Sequence, residues 1–245
     1  MADELKRAFG LEGERALITG GGTGLGFAMA KCFVQAGADV VITGRREDVL
    51  KEAVKQLGPK ADYRVFDVTD TANAVPFVEM LTQEIGPVSI LVNNAGRHCK
   101  KPVLDVHLMG SFALTKAVVP GMLERKKGNI LFISSMSAYL GMTQVTAYSA
   151  AKSAVLGLVK TLSGELADKG IRVNAIAPGF IDTPMFRKAV ESDIPRQQKI
   201  IGHTPMGCYG DPMDIGWAAV YLTSPAARFV TGVCLPVDGG CCIGF

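Results

Sequence analysis

The chain has 245 residues, 48% of them apolar and 20% charged, with a formal net charge of +3. That length buries a full core as one domain, and the composition is an ordinary globular one. The charge is too small and too dispersed for a nucleic-acid or membrane-surface partner, no run approaches ~18 apolar residues, and MADELKRAFG at the N-terminus lacks the apolar stretch of a secretory signal.

Residues 15–19, RALIT, are a short apolar run leading into a glycine-rich turn, TGGGTGLG, and then a helical pattern over 27–34. Strand, glycine turn and helix in that order suit a diphosphate. Glycine lets the backbone approach the ligand, and the helix N-terminus presents N–H groups and positive dipole. The spacing is G-x-x-x-G-x-G on Gly20, Gly24 and Gly26, with Thr23 and Leu25 in the same turn. Residues 39–43, DVVIT, read as the second strand, ending at Gly44-Arg45-Arg46. An acid at that corner would bind a ribose 2′-hydroxyl, whereas two guanidinium groups suit a 2′-phosphate. NADP(H) is therefore expected, with NAD(H) as the alternative. Glu47 and Asp48 read as first-turn acids of the next helix.

A third strand over 63–66 ends at Asp67-Val68, where Asp67 either hydrogen-bonds an adenine amino group or caps the next segment. A helical pattern over 72–85 stops at Gly86-Pro87. The strand over 89–92 opens into Asn93-Asn94-Ala95-Gly96, small and amide residues that let the backbone pass close to a cofactor. The strand over 129–133 runs toward Ser135, at the kind of carboxyl end where open α/β sheets bind ligands. Tyr148 and Lys152 stand four apart and share one helix face. A phenol titrates near ~10, and an ammonium one turn away favours its phenolate and brings the proton into the working range. Ser135, Tyr148 and Lys152 converging there would polarise a carbonyl. Strands over 171–176, ending at Pro178-Gly179, and over 233–237 complete the alternation. Strands alternating with helices mean a parallel sheet covered on both faces, in a single domain over 1–245. Six cysteines at 32, 99, 208, 234, 241 and 242 form no C-x-x-C pair. No metal site is expected, and the thiols read as reduced, in a cytoplasmic protein.

Jointly and in this order, TGGGTGLG, NNAG over 93–96, Ser135, Tyr148-x-x-x-Lys152 and Pro178-Gly179 resemble the short-chain dehydrogenase/reductase family over residues 13–240. The resemblance implies a Rossmann-type, doubly wound seven-stranded parallel sheet, a nicotinamide cofactor and a homotetramer. It implies that Ser135 orients the carbonyl or alcohol and that Tyr148 is the general acid/base. Lys152 would hold the nicotinamide ribose and depress the pKa of Tyr148. Cofactor contacts would come from Gly20, Thr23, Gly24, Leu25, Gly26, Arg45, Arg46, Asp67, Val68, Asn94, Ala95, Gly96, Tyr148, Lys152, Pro178, Gly179 and Ile181, with Thr183 on the carboxamide.

Two departures stand out. His107 occupies the place of the asparagine that completes the family's proton relay; it can donate and accept, as a relay member or as a buried structural histidine. Gly96 and His107 are eleven apart, about ten residues short of the family's spacing for a crossover helix. We therefore expect the opening turns of that helix to be missing, with a chain break near 101–104. Beside the substrate cleft that the resemblance implies lie Arg97, His98, Cys99, Lys100 and Lys101. With Ser135, Arg97, Lys100 and Lys101 are the candidate substrate contacts, or else a solvated basic loop; a substrate lid over 185–210 adds Arg187, Lys188, Arg196 and Lys199. The expected activity is NADP(H)-dependent hydride transfer to or from a secondary alcohol or ketone, on a sugar acid as in the gluconate 5-dehydrogenase-type members. A 3-oxoacyl-[acyl-carrier-protein] reductase and a cofactor-binding protein without turnover are the alternatives.

Overall fold

The structure is a computed structural model and describes residues 2–96 and 103–243. The strands carry apolar side chains on both faces, so helices must cover both. In β1 (Arg15–Thr19), Ala16 and Ile18 join one core layer and Leu17 the other; in β2 (Asp39–Gly44), Val40 and Ile42 oppose Val41. With β3 (Ala61–Val65), β4 (Ile90–Asn93), β5 (Gly128–Ile133), β6 (Ile171–Pro178) and β7 (Cys234–Val237) they form one seven-stranded sheet. Its order is β3-β2-β1-β4-β5-β6-β7, and every neighbouring pair is parallel. The doubly wound seven-stranded expectation holds.

Helix α1 (Ala2–Phe9) precedes the sheet and was not anticipated. Its acids, Asp3 and Glu4, lie in the first turn and its bases, Lys6 and Arg7, in the last, matching the helix dipole. Over one sheet face, α2 (Gly24–Gln35) and α3 (Glu47–Leu57) bring Met29, Phe33 and Leu50 onto Ile18 and Ile42. Over the other, α4 (Ala74–Ile85), α5 (Gly110–Arg125) and α6 (Thr146–Leu166) bring Phe77, Leu81, Leu114, Val118, Val155 and Val159 onto Leu17 and Leu91. The segment expected as a substrate lid folds as α7 (Pro184–Val190) and α8 (Ile194–Gly202), and α9 (Pro212–Thr223) returns Ile215 and Val220 to the first layer. The helical stretch Asp105–Arg125 is long and apolar enough to cross a bilayer by length and composition. Of its apolar residues, Leu114, Val118 and Met122 are buried in the core against the sheet, whereas Met109 and Phe112 are exposed.

A π-helical turn, Asp105–Met109, leads unbroken into α5, so the described helix spans 21 residues. The connection over 97–102, and with it most of the chain break expected near 101–104, lies outside the described residues.

Candidate active site

The strand order reverses at β1, which has β2 on one side and β4 on the other, so the crevice opens at the carboxyl ends of β1 and β4. Thr19 stitches those two ends together. Its hydroxyl donates to Val92 O (3.3 Å) and accepts from the N–H groups of Asn94 (3.0 Å) and Ala95 (2.9 Å). The Asn94 amide returns to Thr19 O at 2.8 Å. The glycine turn is therefore held by NNAG from behind. Gly20 and Gly24 take φ of +66° and +55°, and a Cβ on Gly26 would stand 2.3 Å from Gly20 O. With no side chain in the way, the backbone lies bare in front of the α2 N-terminus, as a diphosphate requires.

Several other sequence-assigned cofactor residues lie at or beyond the carboxyl ends of β2, β3 and β6. Thr183 caps α7, accepting from Phe186 N–H at 3.2 Å, and its methyl lies 3.9 Å from where a Gly24 Cβ would be. Gly179 N–H donates to Val237 O (3.0 Å) beyond Pro178, and buried Ile181 bridges to Gly210, fixing the approach to Thr183. At the ends of β2 and β3, exposed Arg45 faces Asp67 with Nη1–Oδ2 3.9 Å, Arg46 occupies the N-cap of α3, and Val68 is buried. Asp67 Oδ1 accepts from the Thr69 N–H (3.0 Å) and hydroxyl (2.8 Å), so it caps this turn as one of its two expected roles requires. Glu47 and Asp48 do lie in the first turn of α3.

Lys152 is only 4% exposed; its Nζ donates to Ile133 O at 2.6 Å and lies 5.6 Å from the Tyr148 ring centre. Burial pushes the amine from 10.5 down to about 7. The Ser134 hydroxyl donates to Lys152 O (3.0 Å), tying α6 to the end of β5. Ser135 Oγ accepts from Ser137 N–H (3.1 Å), which leaves its own proton to serve another acceptor. His107 is buried and edge-on to Tyr148, with ring centres 5.2 Å apart at 86°. The π turn presents it there: Gly110 N–H reaches back to Asp105 O, five residues away, a widening frequent at functional sites. A Cβ on Gly96 would stand 2.7 Å from His107 Cε1, so the last NNAG residue makes room for this ring. The crevice also borders Tyr139, whose hydroxyl donates to Cys234 O at 3.4 Å. Burial pushes that phenol above its ordinary range.

Arg97, Lys100 and Lys101, with His98 and Cys99, lie outside the described residues. On α7, Arg187 makes a two-pronged pair with Asp182, whose carboxyl that hydrogen bonding holds below its usual range. Lys188, Arg196 and Lys199 are exposed on α7 and α8. Among the described residues no group of His, Cys, Asp or Glu is disposed to hold a metal ion, and Cys32, Cys208, Cys234, Cys241 and Cys242 are free thiols. Sequence reasoning passed over Thr19 and Ser134 as site residues. The signals were present as the threonine heading the glycine motif and the serine doubled at 134–135.

The sequence matches the family described as enoyl-(acyl carrier protein) reductase over residues 20–242. It is 36% identical to the 3-oxoacyl-[acyl-carrier-protein] reductase of Thermotoga maritima over 244 residues, covering 94% of this chain and 98% of that one. It is 37% identical to the 5-keto-D-gluconate 5-reductase of Escherichia coli (strain K12) over 246 residues, covering 95% and 96%. The fold superposes on the crystal structure of a gluconate 5-dehydrogenase from Burkholderia cenocepacia J2315 in complex with NADP and tartrate. The TM-score is 0.92 and the identity 34%, over 98% of this chain and all 100% of that one.

Proposed function

The chain belongs to the short-chain dehydrogenase/reductase family, and on that footing we propose an NADP(H)-dependent oxidoreductase that interconverts a secondary alcohol and a ketone, with a sugar acid of the gluconate type as substrate. The observation that carries the reading is a buried amine, Lys152, 5.6 Å from the Tyr148 ring at the carboxyl end of β5. A bound nicotinamide supplies the hydride chemistry. The Ser135 hydroxyl orients the substrate oxygen. Tyr148 gives its proton to that oxygen during reduction and takes it back during oxidation. Lys152, as a cation, favours the phenolate and reaches the nicotinamide ribose, while His107 takes the relay place against Tyr148.

In this reading Gly20, Thr23, Gly24, Leu25 and Gly26 hold the diphosphate, and Asp67 and Val68 frame the adenine. Asn94, Ala95, Gly96, Pro178, Gly179, Ile181 and Thr183 line the nicotinamide half. Arg45 and Arg46 favour NADP(H), in line with the NADP carried by the Burkholderia enzyme. The relatives include acyl-thioester and sugar-acid enzymes at similar identity. Favouring the sugar acid are the tartrate, itself a hydroxy acid, in that structural neighbour and the exposed cations of α7 and α8. A homotetramer and a cytoplasmic location complete the reading. Exposed Trp217, Phe229 and Ile243 support assembly, and the free thiols support the location.

The test is a panel of sugar acids, ketoses and 3-oxoacyl thioesters, run in both directions with both nicotinamides. Turnover of sugar acids with NADP(H) is expected, falling ~10²–10⁴-fold in Tyr148→Phe with cofactor binding intact. A Tyr148→Phe enzyme near the native rate refutes the tyrosine's role. Turnover of thioesters alone refutes the substrate, and cofactor binding without turnover of any member refutes the enzyme.

A further inference from the structure

At the ends of β2 and β3 the two residues that the cofactor reading assigns separately, Arg45 and Asp67, form a pair. Gly44 pairs with Val65 in the parallel ladder, so Arg45 and Asp67 leave neighbouring strand ends on the same side of the crevice. The two members differ in freedom. Asp67 is pinned through Oδ1 by the Thr69 N–H and hydroxyl, whereas Arg45 stands on a long, half-exposed stem. The fixed carboxylate therefore sets where the guanidinium rests, with Oδ2 3.9 Å from Nη1. Glu47, the next acid along the chain, is turned instead to Lys51 (2.9 Å) and the Tyr63 hydroxyl (3.1 Å). Asp67 is thus the carboxylate that meets Arg45.

We propose that Asp67 is a specificity-determining residue whose carboxylate competes with a cofactor 2′-phosphate for Arg45 and so tempers the preference for NADP(H) over NAD(H). This rests on the NADP(H) reading above. A 2′-phosphate must draw Arg45 from Asp67 or share it, bringing two anions together. A 2′-hydroxyl brings no competing charge, and Arg45 then stays with its carboxylate. One pair accordingly accommodates both nucleotides, at a cost that falls on the phosphorylated one.

The experiment measures binding of 2′,5′-ADP and 5′-AMP by calorimetry, without nicotinamide or turnover, in the wild type, Asp67→Asn, Arg45→Ala and the double variant. Asparagine keeps an oxygen for Thr69, so the turn stays capped. We expect the wild type to prefer 2′,5′-ADP and Arg45→Ala to lose most of that preference. Asp67→Asn should raise the ratio of 2′,5′-ADP to 5′-AMP affinity about three-fold at low salt, as loss of an exposed competing charge permits, whatever any lost adenine contact takes from both nucleotides alike. In the Arg45→Ala background the gain should vanish. Equal weakening of both nucleotides by Asp67→Asn would show an adenine contact or a cap only and overturn the proposal. So would a gain that persists undiminished without Arg45. A wild type with no preference for 2′,5′-ADP overturns the 2′-phosphate reading itself, and the proposal with it.

Discussion

Replacing Lys152 with methionine should stabilise the nucleotide-free protein while abolishing turnover, and the gain should depend on pH in a way that identifies its cause. Methionine fills about the same volume as the lysine stem without the amine. Holding an amine at about 7 instead of 10.5 corresponds to ~5 kcal/mol, at ~1.4 kcal/mol per pH unit. The bond to Ile133 O, lost in the variant, is worth ~1 kcal/mol when the amine is neutral. The net gain below pH 7 is then ~4 kcal/mol, or roughly 8–16 °C in Tm for a chain of this length. The sign follows from proton counting. Below about 7 both folded and unfolded wild type carry the proton, and the folded state bears the full cost of a buried charge. Between about 7 and 10.5 the unfolded chain keeps the proton that the folded one has shed, so wild-type stability rises with pH relative to the variant. Above 10.5 both are neutral, and the variant should be the less stable by ~1 kcal/mol for want of the hydrogen bond. Urea melts at pH 6, 8 and 10.5, followed through Trp217 at matched protein concentration, measure the difference. A wild type more stable than Lys152→Met at pH 6, or a difference that does not change with pH, would refute the buried-charge argument.

The remaining predictions concern the residues around that amine. His107→Asn, which restores the relay residue type of the family, should keep kcat within about ten-fold, whereas His107→Ala should lose ~10². Native kcat in the alanine variant would make His107 structural only. Gly96→Ala drives a Cβ to within 2.7 Å of His107 Cε1; kcat should fall ~10-fold or more through displacement of the ring, and an unchanged kcat would show that the ring position is immaterial. Thr19→Val keeps the side-chain shape but strands the Ala95 N–H, while that of Asn94 keeps Val92 O at 3.1 Å. Denaturant melts should show a loss of ~1–3 kcal/mol, and a loss below ~0.5 kcal/mol would mean water satisfies the donor.

The sheet was legible because its strands are apolar runs ended by glycine, proline or amide residues, and such runs have one reading when helical patterns alternate with them. The boundaries moved where backbone chemistry overrode composition. Helix α2 starts at Gly24, inside the glycine turn, because the turn's own N–H groups begin the helix. Helix α1 escaped notice because it is only eight residues long, about two turns, too short for its apolar face to mark a helix by itself. Arg45 and Asp67 were each legible as cofactor residues. Their pairing was not, since it depends on strand register and on the two bonds that fix Asp67 to Thr69.

His107 shows the limit most sharply, because its neighbours come from three separate stretches. Gly96 could be read from sequence as a place where backbone approaches a cofactor, but the group it accommodates is the histidine ring. That ring reaches Tyr148 because a π turn widens the helix at Asp105–Met109, and no residue in DVHLM signals a five-residue hydrogen bond. A histidine is longer than the asparagine expected at this place, so it needs space on the glycine side and a changed angle on the helix side. The structure supplies both, which ties the identity of residue 96, the π turn and the imidazole into one unit set against the Tyr148 ring.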